Sequence, residues 1–231
     1  MDKDFAEFQK NANLVFKDTG LLRQAFVHRS YINENKQSGL SHNERLEFLG
    51  DAVLELVITD YLYKKYTEKA EGELTAYRSA LVNADTCAGI AIDLNMGEYL
   101  LLSKGESKDM GRARQYILAN ALEALIGAIY LDQGYDSAKN FIEKNFTPKI
   151  ENIISAKSFI DSKSLFQEKA QEYDGVTPSY KTIKEAGPDH EKKFTVGVYV
   201  GKDLMATGEG ESKQEAEQNA ARAALLVRGW N

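Results

Sequence analysis

The 231-residue chain has one cysteine, three prolines and three histidines, and these scarcities exclude several classes of protein. Cys87 has no second thiol to pair with, so the chain is expected in a reducing compartment, the cytoplasm. It lies in an Ala- and Ile-rich stretch and reads as a small buried hydrophobe rather than a nucleophile or a metal ligand. No run of about 18 apolar residues occurs, so no membrane-spanning helix is expected. The opening MDKDFAEFQK lacks an apolar core, which argues against a secretory signal. An excess of positive charge is missing too, since the formal net charge is −6. Residues 1–150 carry 18 basic and 22 acidic side chains and the remainder 11 and 13, giving −4 and −2. A nucleic-acid binder of this composition must rely on locally clustered cations rather than on an overall basic field. The rest is ordinary for a globular protein, with 43% hydrophobic and 28% charged residues.

Residues 1–150 are predicted to be helical throughout. Apolar side chains recur at three- and four-residue spacing in 14–26, 46–66, 74–94 and 117–131. Ser38-Gly39, Glu71-Gly72 and Gly134-Tyr135 punctuate them as turns. After Pro148 the chain becomes polar and serine-rich, and a linker is predicted over 151–161. From Ser162 the pattern changes. A helix over 162–173 precedes strands at 180–185 and 193–200, the second alternating Phe194, Val196, Val198 and Val200 with Thr195, Gly197 and Tyr199. A short strand at 204–208 and an Ala-rich helix over 212–226 follow, the helix opened by the capping-box pair Ser212 and Glu215. The predicted fold is an all-α domain over 1–150 and a small α+β domain of order α-β-β-β-α over 162–231.

The stretch 42–60, HNERLEFLGDAVLELVITD, carries the most chemistry. At about 100° per residue, Glu44, Glu47, Asp51 and Glu55 share one narrow edge of a helix. Leu46, Leu49, Val53, Leu54, Leu56 and Val57 fill the opposite arc, while Phe48 falls beside the acidic edge. In 117–131, Asn120, Glu123 and Gly127 repeat such an edge on a second apolar helix. An acidic stripe is most often a solvated face. Glu44 has its own structural explanation, since Ser41-x-x-Glu44 is a capping-box pattern. Half-buried carboxylates, by contrast, are costly unless paired or bound to a cation. Crossing two such helices would gather oxygen ligands suited to a hard cation such as Mg²⁺, the apparatus of metal-assisted phosphodiester hydrolysis. Both interpretations stand on spacing alone.

The run Asn43-Glu44-Arg45-Leu46-Glu47-Phe48-Leu49-Gly50-Asp51-Ala52 resembles the signature of the bacterial ribonuclease III family, a highly specific motif. It is accompanied by Ala25-Phe26-Val27-His28-Arg29-Ser30-Tyr31, Glu71-Gly72-Glu73-Leu74-Thr75, Ile117-Leu118-Ala119-Asn120 and Glu123-Ala124-Leu125-Ile126-Gly127 in the family's order. The C-terminal module resembles a double-stranded-RNA-binding domain through Gly187-Pro188-Asp189-His190, Phe194, Gly208-x-Gly210 and Ser212-Lys213. The resemblance covers nearly the whole chain. It implies a Mg²⁺-dependent endoribonuclease, with Mn²⁺ as a possible substitute and no small-molecule cofactor. The enzyme would be homodimeric and specific for double-stranded RNA, leaving 5′-phosphates and short 3′ overhangs, with rRNA and mRNA precursors as its default targets.

By the same resemblance, Glu47, Asn120 and Glu123 occupy metal-binding positions, and Asp51 and Glu123 catalytic ones. Glu44 is a secondary acidic position at the edge of the site, and Phe48 packs into a partner subunit. Gln167 and Glu168 match one minor-groove contact and His190 a second, as expected where A-form geometry hides the major groove. Lys213, at a helix N-terminus, matches a phosphate contact. Three positions depart from the pattern. Asn120 stands where an aspartate is usual, either as a natural feature of its lineage or as an Asp→Asn exchange that keeps shape while lowering turnover. Tyr116 replaces a small residue. Gln214 replaces a second lysine, so phosphate contact should lean on Lys213 with Lys192 or Lys193. Two other functions fit part of the pattern: a catalytically silent dimer that only binds duplex RNA, and a metal phosphohydrolase for small substrates, which would leave the C-terminal module without a purpose.

Overall fold

The computed structural model describes residues 3–108, 111–155, 162–188 and 192–230, with the backbone alone for 151–155. The chain forms two compact units, Met1–Phe159 and Ile160–Asn231.

Among the described residues the first unit is helical: α1 Phe5–Ala12, α2 Thr19–Ala25, α3 Arg29–Glu34, α4 Glu44–Lys65, α5 Glu71–Leu81, α6 Ala84–Asp93, α7 Arg112–Gln133 and α8 Tyr135–Ser155. Its heart is the pair α4 and α7, each 22 residues long. Burying Leu118, Leu122, Leu125, Ile126 and Ile129 against Leu46, Val53, Leu54, Val57 and Ile58 removes ten aliphatic side chains from water. Each such burial is worth about 1.5–3 kcal/mol before conformational entropy is charged. Leu56 departs from the expected arc: it is exposed, on a side of α4 that the packing against α5, α7 and α8 leaves uncovered.

Two further expectations are corrected. The periodic run 74–94 is two helices, broken where the Asn83 side chain accepts the Thr86 N–H at 2.9 Å and restarts the chain as a new N-terminus. Glu71-Gly72 is not a turn but the first residues of α5. Pro148 lies inside α8, which continues to Ser155, within the first residues of the stretch expected to be linker. Proline removes one donor and crowds one carbonyl, and a long helix packed along its length tolerates that loss. Gly134 behaves as expected, closing α7 at φ 85 before α8 begins.

The second unit has the order α9 Ser162–Asp174, β1 Ser179–Ala186, β2 Lys193–Val200, β3 Asp203–Gly210 and α10 Lys213–Arg228. The strands form one antiparallel sheet in the order β1-β2-β3. Phe166, Val198, Ala220, Ala221, Ala224 and Leu225 make its core between the sheet and the two helices. Ser212 caps α10, its hydroxyl accepting the Glu215 N–H at 3.1 Å. The Glu215 carboxylate reaches back to the N–H of Glu211 at 2.8 Å, one residue before the place a full capping box would take it.

Candidate active site and RNA interface

The two acidic edges meet because two glycines let α4 and α7 touch. A Cβ built on Gly50 would lie 1.7 Å from the Glu123 carbonyl oxygen, and one on Gly127 would lie 2.2 Å from that of Leu46. No other residue fits at either position. The contact sets Glu47 and Asp51, one turn apart on α4, against Glu123 on α7, with Asn120 a further turn back on α7. Glu47, Asn120 and Glu123 are half-buried and Asp51 is exposed, so the cluster faces solvent along one open edge.

The electrostatics show how closely these groups sense one another. Burial raises the Glu123 carboxyl to about 7, and the charges of Asp51 and then Glu47 add to the effect. Glu47 is also raised, by burial first and then by Glu44 and Asp51. Carboxyls held up by burial and mutual repulsion are the state a bound cation relieves. Among the described residues, no three His, Cys, Asp or Glu side chains are gathered at coordinating distance. The donors therefore share a field, and holding one ion between them requires side-chain rotation. Their chemistry, carboxylate and amide oxygen only, fits a hard cation.

Glu44 lies at the edge of this cluster, its charge reaching Glu47 while its own carboxylate is paired. It is the first residue of α4, its carboxylate 3.2 Å from Arg29 Nη1 and 3.7 Å from His42 Nδ1. The N-cap position is Asn43, which makes no side-chain cap; its Nδ2 instead donates to the Ala25 carbonyl at 3.0 Å. The capping box suggested by Ser41 and Glu44 is thus not formed. Glu55, next along the acidic edge, is held by Arg78 at 3.1 Å. Cys87 is fully buried; burial pushes its thiol up, with Glu123 and Asp51 adding, so it stays neutral behind the site. Tyr116 is half-exposed beneath the Arg112 guanidinium, 5.9 Å from the ring centre.

Phe48, adjacent to Glu47, is 81% exposed. Ala52, Leu56 and Tyr63 continue from it as an exposed stripe along α4.

In the second unit, Gln167 and Glu168 are exposed on α9 and line an open polar depression with Ser164, Gln171 and Glu172. His190 lies outside the described residues. Lys213 opens α10 and is exposed, but it pairs with Glu185 of β1 at 2.8 Å. Lys192 reaches the same carboxylate at 3.3 Å. The sequence offered no sign of Glu185's part, because the three residues follow no common periodicity.

Residues 18–150 match the family model described as Ribonuclease-III-like, and residues 162–227 match the double-stranded RNA binding motif. Ribonuclease 3 of Borreliella burgdorferi is 47% identical over 220 residues, covering 95% of this chain and 89% of that protein. Ribonuclease 3 of Enterococcus faecalis is 46% identical over 222 residues, covering 95% of each. A solved nuclease domain of ribonuclease III from Campylobacter jejuni, described as having a region involved in dimer formation, is similar with TM-score 0.56 and 44% identity; the match covers 62% of this chain and 99% of that one.

Proposed function

The chain belongs to the ribonuclease III family, and from that premise we propose that it is an endoribonuclease that cuts double-stranded RNA at the α4–α7 crossing. The observation that carries the proposal is the glycine contact at Gly50 and Gly127, which puts Glu47, Asp51 and Glu123 into one field. A polymer needs an open edge rather than an enclosed pocket, and exposed Asp51 lies on one.

Glu47, Asn120 and Glu123 would hold Mg²⁺, or Mn²⁺ in its place. When bound, the ion supplies charge neutralisation at the phosphodiester and a water of lowered pKa. Glu123, titrating near neutrality, keeps a carboxylate available without a full buried charge in the free protein. Asp51, exposed on the solvent side, would orient the attacking water and accept its proton. Attack by water with departure of the 3′ oxygen leaves a 5′-phosphate. Two sites related by a twofold axis would cut both strands and leave short 3′ overhangs.

The homodimer is supported by the Phe48, Leu56 and Tyr63 stripe, a large apolar surface beside an acidic edge. The α-β-β-β-α module would hold the duplex through Gln167 and Glu168 in the minor groove and Lys213 on a phosphate, with His190 as a further contact. Cytoplasmic processing of rRNA and mRNA precursors is the setting we propose. Asn120 favours a second reading, a duplex-binding dimer of low turnover, because an amide brings no charge to the ion. Labelled duplex and single-stranded RNA, incubated with Mg²⁺ and then with chelator, separate the two. Cleavage of the duplex alone, abolished by chelator, supports the enzyme; retention without cleavage supports the binder.

A further inference from the structure

Lys213 does not meet solvent as a free cation. Its Nζ lies 2.8 Å from one oxygen of Glu185, while Lys192 Nζ lies 3.3 Å from the other, so the carboxylate is bridged between two ammonium groups. Lys213 also rests over the Phe194 ring, 5.5 Å from its centre, which fixes the direction of its stem. Hydrogen bonds from Lys213 and then Lys192 hold the Glu185 carboxyl below the usual range, so it is ionised wherever RNA is bound. The arrangement is that of an anion seat already filled: two cations from β2's start and α10's start converge on a doubly accepting oxyanion. A phosphate oxygen pair offers the same acceptors to the same donors.

We infer that Glu185 stands in for a backbone phosphate of duplex RNA and must give up Lys213 and Lys192 when the duplex binds. The inference rests on the reading of Lys213 as an RNA contact. Glu185 then acts as a built-in competitor that weakens the grip on the backbone and speeds release, independent of RNA sequence. Charge arithmetic sets the size of the effect. Glu185→Gln removes one negative charge from the seat and so raises its net charge by one. One added charge meeting phosphate should steepen the slope of log K against log salt by about 0.9, equal to about 3.5-fold more affinity lost between roughly 50 and 200 mM salt. An exposed ion pair is worth up to about five-fold in an equilibrium, so binding at low salt should tighten by about two- to five-fold.

A brace would behave in the opposite way. If Glu185 only holds Lys213 in position, Glu185→Gln loosens the lysine and binding weakens or stays the same. The experiment measures affinity of the full chain, in chelator, for a duplex of roughly 20 base pairs, longer than the about 16 that one such domain spans. Wild type, Glu185→Gln, Glu185→Asp and Lys213→Ala are titrated across salt, with far-UV circular dichroism melts to confirm folding. The expected result is tighter binding and a steeper slope for Glu185→Gln, a near wild-type slope for Glu185→Asp, which keeps the charge, and a flatter slope for Lys213→Ala. A flatter slope for Lys213→Ala with no gain from Glu185→Gln overturns the competitor alone. An unchanged slope for Lys213→Ala removes the lysine as a phosphate contact, and the inference falls with it.

Discussion

Replacing Glu123 by glutamine should stabilise the metal-free protein at alkaline pH. The Glu123 carboxyl is raised to about 7 from the ordinary 4.5 of a glutamate, chiefly by burial. A raised acid favours the folded state fully only below its unfolded pKa, and the advantage is lost as pH climbs through the folded value. At pH 8 the folded chain therefore carries the cost of a charge it would rather not bear. A shift of about 2.5 units corresponds to about 3.4 kcal/mol at 1.36 kcal/mol per unit. The side chain is only half-buried, so solvent screening reduces this to about 1.5–3 kcal/mol. Glutamine keeps the shape and removes the cost. Denaturant unfolding in chelator, followed by far-UV circular dichroism, reports the helical first unit, while fluorescence of Trp230, the chain's single tryptophan, reports the second. The circular-dichroism transition of Glu123→Gln should move to higher denaturant at pH 8, the gap closing as pH falls toward 5, and the Trp230 transition should stay in place. Adding Mg²⁺ should stabilise wild type and not the variant. Equal stability at pH 8, or a weaker variant, would refute the claim that Glu123 is held in a strained, cation-ready state.

Three further outcomes are expected. Gly50→Ala should lower stability by about 2 kcal/mol, since a Cβ 1.7 Å from Glu123's carbonyl oxygen puts overpacking at the upper end of its range of about 1–3 kcal/mol and the Ala preference in a helix returns only about 1; an unchanged melting temperature would contradict that close approach. Sedimentation at micromolar concentration should show a dimer for wild type and a monomer for Phe48→Glu, with unaltered circular dichroism because Phe48 is 81% exposed. Asn120→Asp should raise the cleavage rate and lower the Mg²⁺ concentration for half-maximal activity, because the carboxylate adds charge to the ion; superimposable Mg²⁺ curves would show that Asn120 is not a ligand.

Periodicity carried much of the architecture because several helices and the second strand bury regularly spaced apolar side chains. The second strand was legible to the residue, since Val196 and Val198 alternate into the core of so small a sheet. The α5–α6 break was not, because the apolar spacing runs on through it and only the Asn83 cap divides the helices. The end of α8 was not legible either, because the stretch after Pro148 turns polar and serine-rich although the helix runs to Ser155. At the site, residue types and spacing on each helix were legible, and the family resemblance named their roles. What joins them was not, because a glycine in a helix looks like a defect until its partner on another helix is known. Gly50 and Gly127 are such partners. Pairings such as Lys213 with Glu185 or Glu44 with Arg29 are equally invisible to any periodic pattern.

The central claim is that the acids gathered at the α4–α7 crossing, and not acidity along α4 in general, cut duplex RNA. Glu47 and Glu55 lie on the same edge of α4, but Glu55 is held by Arg78 while Glu47 shares the field of Glu44 and Asp51. The most direct test is the single-turnover cleavage rate of one labelled duplex, measured across Mg²⁺ concentration, for Glu47→Gln and Glu55→Gln beside wild type. The account predicts that Glu47→Gln loses cleavage at low Mg²⁺ and regains part of it at high Mg²⁺, while Glu55→Gln follows wild type. Equal losses in both variants, or none in either, would contradict it.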